Sequence, residues 1–179
     1  MIRRRPASSS SIGSTQLLAY VITLFLLAGS GCSSPTEDAT QLTAEEVLSG
    51  LEQHGAPIGG SVVYTAATDP NDLLGRPGGY AGKANFADTR LSPDYAGEYP
   101  IENGGSVEVF VTISAAEDRS AFIQDTLQNV RILGTEYHFV DSGVLVRVSG
   151  RLTPDQASVY GSSLQATLAD LSSSSDCRS

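Results

Sequence analysis

The feature that most restricts what this chain can fold into stands at its beginning. Arg3, Arg4 and Arg5 precede a largely apolar stretch, residues 17–28, that ends in Gly29, Ser30, Gly31 and Cys32. A basic start, an apolar segment and a small-residue end compose a secretory signal, and a segment removed on export is no part of a core. The stretch is also shorter than the roughly 20 apolar residues with which a helix crosses a bilayer. Residues 1–31 are therefore read as a signal peptide. The remainder is long enough for one ordinary domain of about 100–150 residues.

The small residues directly before Cys32 resemble a lipobox, at which the thiol receives a diacylglycerol and cleavage leaves the cysteine as the new N-terminus. Gly29 stands where a lipobox usually has leucine. On this reading a lipid on Cys32 holds the protein at the outer face of the cytoplasmic membrane. The alternative takes Ala28 and Ser30 as an ordinary signal-peptidase site and yields a secreted soluble protein beginning at Gly31. Cys32 is then able to pair with Cys177 in an oxidising compartment. Under lipidation Cys177 is a lone exposed thiol.

Cleavage before Cys32 removes three of the 11 basic residues and none of the 20 acidic ones, which leaves a formal charge of −12. Such a surface repels nucleic acid and anionic headgroups, so no nucleic-acid partner is expected and the membrane link is the anchor itself. Residues 32–42 are too polar to bury anything and read as a flexible tether of about 15–20 Å. The serine-rich residues 172–179 read as a disordered tail. The folded domain is expected over residues 43–171.

Three helices are announced by their caps. Thr43 and Glu46 form a capping box ahead of Val47, Leu48 and Leu51, with Gly55 as the stop. Ser114 and Glu117 repeat the device before Phe122, Ile123, Leu127 and Val130. Thr153-Pro154-Asp155-Gln156 opens the third, with Ala157, Tyr160, Leu164, Leu168 and Leu171 at helical spacing. Between them the period is two, most clearly over residues 106–113. There Val107, Val109, Val111 and Ile113 face inward, and Glu108, Phe110 and Thr112 face water. Residues 136–140 and 144–149 are two more strands around a tight Asp141-Ser142-Gly143 turn, and residues 61–65 and 83–88 are shorter candidates. The order predicts an α+β fold, an antiparallel sheet of about four to five strands with helices packed on one face.

The candidate binding loop follows Thr68, where turn formers, charges and an aromatic crowd one connection: Asp69, Asn71, Arg76, Tyr80 and Lys83, with Arg90 beyond it. The alternative pairs the cations of this stretch with its own aspartates. Its glycines have the wrong spacing for a phosphate loop. Asp69, Asn71 and Asp72 lack the remaining ligands of an EF-hand, so no metal and no cofactor are expected. His54 reads as a helix C-terminal charge and His138 as a cross-strand partner on the solvent face. Glu108 and Glu136 resemble paired hydrolase carboxylates, but Glu on strands is usually solvated. Tyr80, Tyr95, Tyr99 and Tyr137 suit a glycan or peptide groove. With no serine elbow and no plausible cysteine nucleophile, no catalytic residue is assigned.

The phrases Asp69-Pro70-Asn71, Leu73-Leu74-Gly75-Arg76-Pro77, Val144-Leu145-Val146-Arg147-Val148-Ser149-Gly150 and Leu152-Thr153-Pro154 resemble small lipoproteins and secreted proteins of Gram-positive, mostly actinobacterial, bacteria. That family has no assigned activity, so the resemblance implies export and one domain but no ligand. The expectation is a membrane-anchored, non-enzymatic interaction module with an envelope protein or glycan as partner. The alternatives are a cell-envelope hydrolase and a structural envelope protein.

Overall fold

The computed structural model describes residues 42–91 and 99–176. The signal, Cys32, almost all of the tether, Tyr95 and Cys177 lie outside the described residues. In chain order the elements are helix α1 (Ala44–Gln53), strands β1 (Ile58–Val63), β2 (Gly82–Asp88) and β3 (Gly104–Val109), helix α2 (Ile113–Asn129), strands β4 (Glu136–Asp141) and β5 (Val144–Ser149), and helix α3 (Pro154–Asp176). Short 3-10 turns, Ile101–Asn103 and Arg131–Leu133, lead into β3 and β4. The five strands form one antiparallel sheet in the order β1-β2-β3-β5-β4, the α+β class expected.

Local chemistry accounts for most of the boundaries. Thr43 and Glu46 exchange capping bonds of 2.9 and 3.2 Å at the start of α1, and Thr153 and Gln156 exchange bonds of 2.9 and 3.3 Å at the start of α3. The hairpin between β4 and β5 turns on Ser142 (φ 48°) and Gly143 (φ 82°), two successive left-handed residues of the kind a two-residue hairpin loop requires.

Three sequence expectations are corrected. The strand expected over residues 106–113 ends at Val109, because the Phe110 N–H donates to the Gly143 carbonyl (2.8 Å) and the chain turns away; Val111 is then 79% exposed and Ile113 55%. The cap of α2 is Thr112, whose hydroxyl accepts the Ala115 N–H (3.2 Å), and not Ser114. The expected tail continues as helix through Asp176, with the hydroxyls of Ser172, Ser173 and Ser174 donating to carbonyls three or four residues back.

Paired residues on neighbouring strands share a face, so the register divides the sheet cleanly. One face carries Ala84, Phe86, Val107, Val109, Val144, Val146 and Val148, packed against Val47 and Leu51 of α1 and Tyr160 and Leu164 of α3. Phe86 and Tyr160 stack with ring centroids 5.3 Å apart. Gly50 lets α1 meet α3, since a Cβ there would fall 2.2 Å from Thr167 Cγ2. The other face carries Lys83, Asn85, Ser106, Glu108, Leu145, Arg147, Glu136 and His138. The expectation that all three helices pack on one face is corrected: α1 and α3 cover the apolar face, while α2 and the 64–81 connection cover the opposite one. The inward stripe of α2 includes Arg119 and Ser120 beside buried Ala116 and Ile123, and only the polar face offers these partners.

Candidate functional site

The polar face holds a chain of ionic contacts that runs from β3 to β4. Glu108, expected to be solvated, has no exposed surface. Arg119 Nε donates to its Oε2 and Arg147 Nη1 to its Oε1, both at 3.0 Å. Arg147 turns its remaining edge to Glu136, donating through Nε (2.8 Å) and Nη2 (2.9 Å) in a bidentate pair. Glu136 Oε2 also lies 3.0 Å from His138 Nε2, and His138 Nδ1 lies 2.8 Å from Ser120 Oγ on α2. The His138 side chain is 5% exposed, which corrects its expected place on the solvent face: α2 covers it. Burial works to raise the pKa of Glu136, but the bonds from His138 and Arg147 outweigh it and hold the carboxyl at about 2. The same carboxylates push the Arg147 pKa up against its burial.

Beside this network lie two depressions that share Ile101, Glu102, Leu133 and Glu136. One, of about 360 Å³, is also lined by Arg119, Phe122 and Arg147. The other, of about 530 Å³, is also lined by Ile132 and Arg151. Ile132 is 93% exposed, and Phe122, Val130 and Leu133 are exposed with it. A cluster of bare apolar side chains beside buried charge is unlike the isolated surface leucine that any protein shows.

The expected binding residues are placed differently. Asp69, Tyr80 and Lys83 are buried. Asp69 accepts the N–H groups of Asn71 (3.2 Å), Leu73 (2.8 Å) and Leu74 (3.1 Å), the Tyr80 hydroxyl (2.7 Å) and Lys83 Nζ (2.9 Å). Asn71 Nδ2 donates to the Tyr80 hydroxyl (3.2 Å). Burial opposes ionisation of Asp69, but the Lys83 bond and then the Leu73 and Tyr80 bonds hold its carboxyl far below the usual range; burial and Asp69 together push the Tyr80 phenol up. Asp69, Tyr80 and Lys83 therefore organise the connection from inside, while Asn71 is exposed and reaches in to the Tyr80 hydroxyl. Arg76 pairs with Asp72 at the surface. Arg90 belongs to the other face, where it holds Asp88 Oδ2 (2.6 Å) beside the Tyr160 ring. Of the tyrosines expected to line a groove, Tyr137 donates to the Leu152 carbonyl and Tyr80 to Asp69, while Tyr95 lies outside the described residues. His54 caps α1 and reaches Asp170 Oδ2 of α3 (3.0 Å).

Sequence reasoning missed Arg119, Ser120 and Arg147. The available signal was parity: Arg147 sits opposite His138 on β4, on the same face as Glu108, and a strand that alternates valine with arginine has two faces to fill. Among the described residues no group of three or more His, Cys, Asp or Glu side chains is disposed to hold a metal ion, and no helix is long and apolar enough to cross a membrane. No family model matches the chain, and no curated protein or solved structure matches it either.

Proposed function

We propose that this protein is a lipid-anchored, extracytoplasmic interaction module, akin to the small secreted lipoproteins its sequence resembles, and that it binds a partner through the end of the sheet where Phe122, Ile132 and Leu133 are exposed. The observation that carries the reading is the near-complete exposure of Ile132 beside the two depressions. This end is remote from the start of α1. Strands β3 and β5 separate the two ends by six residues each, about 20 Å. A domain tethered through residues preceding Leu42 thus holds this apolar patch away from its anchor. A protein segment with apolar side chains and a polar margin suits it, because Glu102 and Arg151 flank the patch.

The experiment places a photo-crosslinking residue at Ile132, and at exposed Thr68 as control, in the full chain expressed in its own envelope. Protein adducts from position 132 alone, with intact mass giving a diacylated Cys32, are the expected result. Equal adducts at both positions overturn the surface, and a mature start at Gly31 overturns the anchor.

One observation favours an enzymatic reading, namely the Ser120–His138–Glu136 sequence of contacts at 2.8 and 3.0 Å. Two features weigh against it. Ser120 lies inside α2, where backbone N–H groups are spent on the helix and leave no oxyanion donor, and Glu136 is already held by Arg147. Labelling by a fluorophosphonate that Ser120→Ala abolishes would decide for the enzyme.

A further inference from the structure

The end of the sheet where the tether enters has an apolar surface of its own. Leu42 and Thr43 lead into α1 beside β2, where a Cβ on Gly82 would lie 3.1 Å from the Ala44 nitrogen and 3.6 Å from Val109 Cβ. Two residues past Val109, the link into α2 exposes Val111 and then Ile113. On the other side of the tether entry, Val63 shares a depression of about 330 Å³ with Leu42, Thr43 and Tyr64 and is itself exposed. Between Val111 and Ile113, exposed Thr112 turns its hydroxyl oxygen back to accept the Ala115 N–H.

We propose that Val63, Val111 and Ile113 form a membrane-contacting surface that rests in the headgroup region of the leaflet carrying the anchor. The inference rests on the reading of Cys32 as lipidated. The ten residues 32–41 reach no further than about 35 Å even at full stretch, so this end of the domain cannot leave the bilayer surface by more than that. Over such a tether the local concentration of lipid surface is of millimolar order or higher, and a contact weak in solution becomes populated. Exposed apolar side chains at the end of β1 and the start of α2 favour an interface in proportion to the apolar area they bury there.

Electrostatics set the sign of the lipid dependence. Glu45 and Glu46 on the first turn of α1, Asp141 beside the hairpin turn and Glu117 near the start of α2 flank the apolar residues. Lys83 is engaged by Asp69, Arg119 by Glu108 and, at the surface, Arg76 by Asp72. The contact is therefore apolar, is opposed by anionic lipid, and is strengthened by salt on an anionic bilayer, the reverse of a polybasic anchor.

The chain has no tryptophan, so Val111→Trp introduces a sole reporter, Ile113→Trp a second one, and Ile132→Trp a control at the far end. Full-length lipidated protein is reconstituted in phosphatidylcholine vesicles carrying brominated acyl chains, with and without phosphatidylglycerol. Blue-shifted emission with several-fold stronger quenching at positions 111 and 113 than at 132 is expected. Phosphatidylglycerol should weaken that quenching at low salt, and added salt should restore it. A diacylated protein whose 111 and 113 reporters stay unquenched overturns the contact while leaving the anchor intact. An N-terminus without lipid, read from the intact mass, overturns the anchor and this inference with it.

Discussion

The two faces of the sheet are filled by opposite chemistry, although the same five strands supply both. Toward α1 and α3 lies an ordinary apolar core whose one buried charge, Asp88, is answered by Arg90 and Tyr160 at the margin. Toward α2 lie three carboxylates, Asp69, Glu108 and Glu136, and three cations, Lys83, Arg119 and Arg147. The apolar face gains from each residue nearly independently, in proportion to area removed from water. The ionic face is all-or-none, because each buried charge is tolerable only while its partner is present. Among the described residues only Asn85 Oδ1, on this same face, is a buried side-chain polar atom without a partner, so every charged group of the ionic face is answered while one amide oxygen is not.

The largest expected effect comes from two neighbours on β3 that point to opposite faces. Glu108→Ala leaves Arg119 without its carboxylate and Arg147 with Glu136 alone, and should lower stability by about 3–5 kcal/mol. Val107→Ala on the apolar side leaves a small cavity and should cost about 1–3 kcal/mol. Denaturant unfolding of the two variants measures the difference. A Glu108 loss no larger than the Val107 loss would show that α2 lifts readily and rehydrates the arginines, and the contrast between the faces would fall.

Acid should act on the ionic face next. Glu136 titrates at about 2 in the folded protein against roughly 4.3 in the unfolded chain, and Asp69 is shifted in the same direction. A depressed folded pKa means that the unfolded state binds the proton first. The stabilisation is therefore full above the unfolded value and is lost as pH falls from about 4.3 through 2. Thermal midpoints should decline across that window, and Glu136→Gln should flatten the decline while lowering the midpoint at neutral pH. Identical pH profiles for Glu136→Gln and the parent would remove Glu136 from the acid response.

What the sequence disclosed and what it hid divide along the same faces. Capping boxes at Thr43 and Thr153, the Asp141-Ser142-Gly143 turn and the full length of β5 are local chemistry, and all are read directly. Alternation in β3 also separates Val107 from Glu108 correctly. It does not say whether the second face is wet, because that depends on the next helix, whose inward stripe includes Arg119 eleven residues beyond Glu108. Val111 and Ile113 extend the alternation past the point where Phe110 pairs with Gly143, and nothing local marks that stop. Nor does spacing reveal that Asp69 turns inward to collect three backbone N–H groups, which makes an apparent contact loop a self-supporting one.

The smallest expected effect lies within that loop, where the two kinds of ion pair occur in one connection. Asp69 with Lys83 is buried on both sides, whereas Arg76 and Asp72 have side chains 59% and 70% exposed. An exposed pair at i,i+4 gains little Coulomb energy in water and loses the freedom of two long side chains. Arg76→Ala should therefore change stability by no more than about 0.5 kcal/mol. Lys83→Met, which leaves a carboxylate buried with fewer partners, should lower it by about 3 kcal/mol or more. The Arg76 result also bears on partner binding. Arg76 is the charged candidate of that loop that is exposed, so unchanged adducts at position 132 in Arg76→Ala are expected if binding belongs to the opposite end of the sheet. Loss of those adducts with stability intact would return the contact surface to the loop.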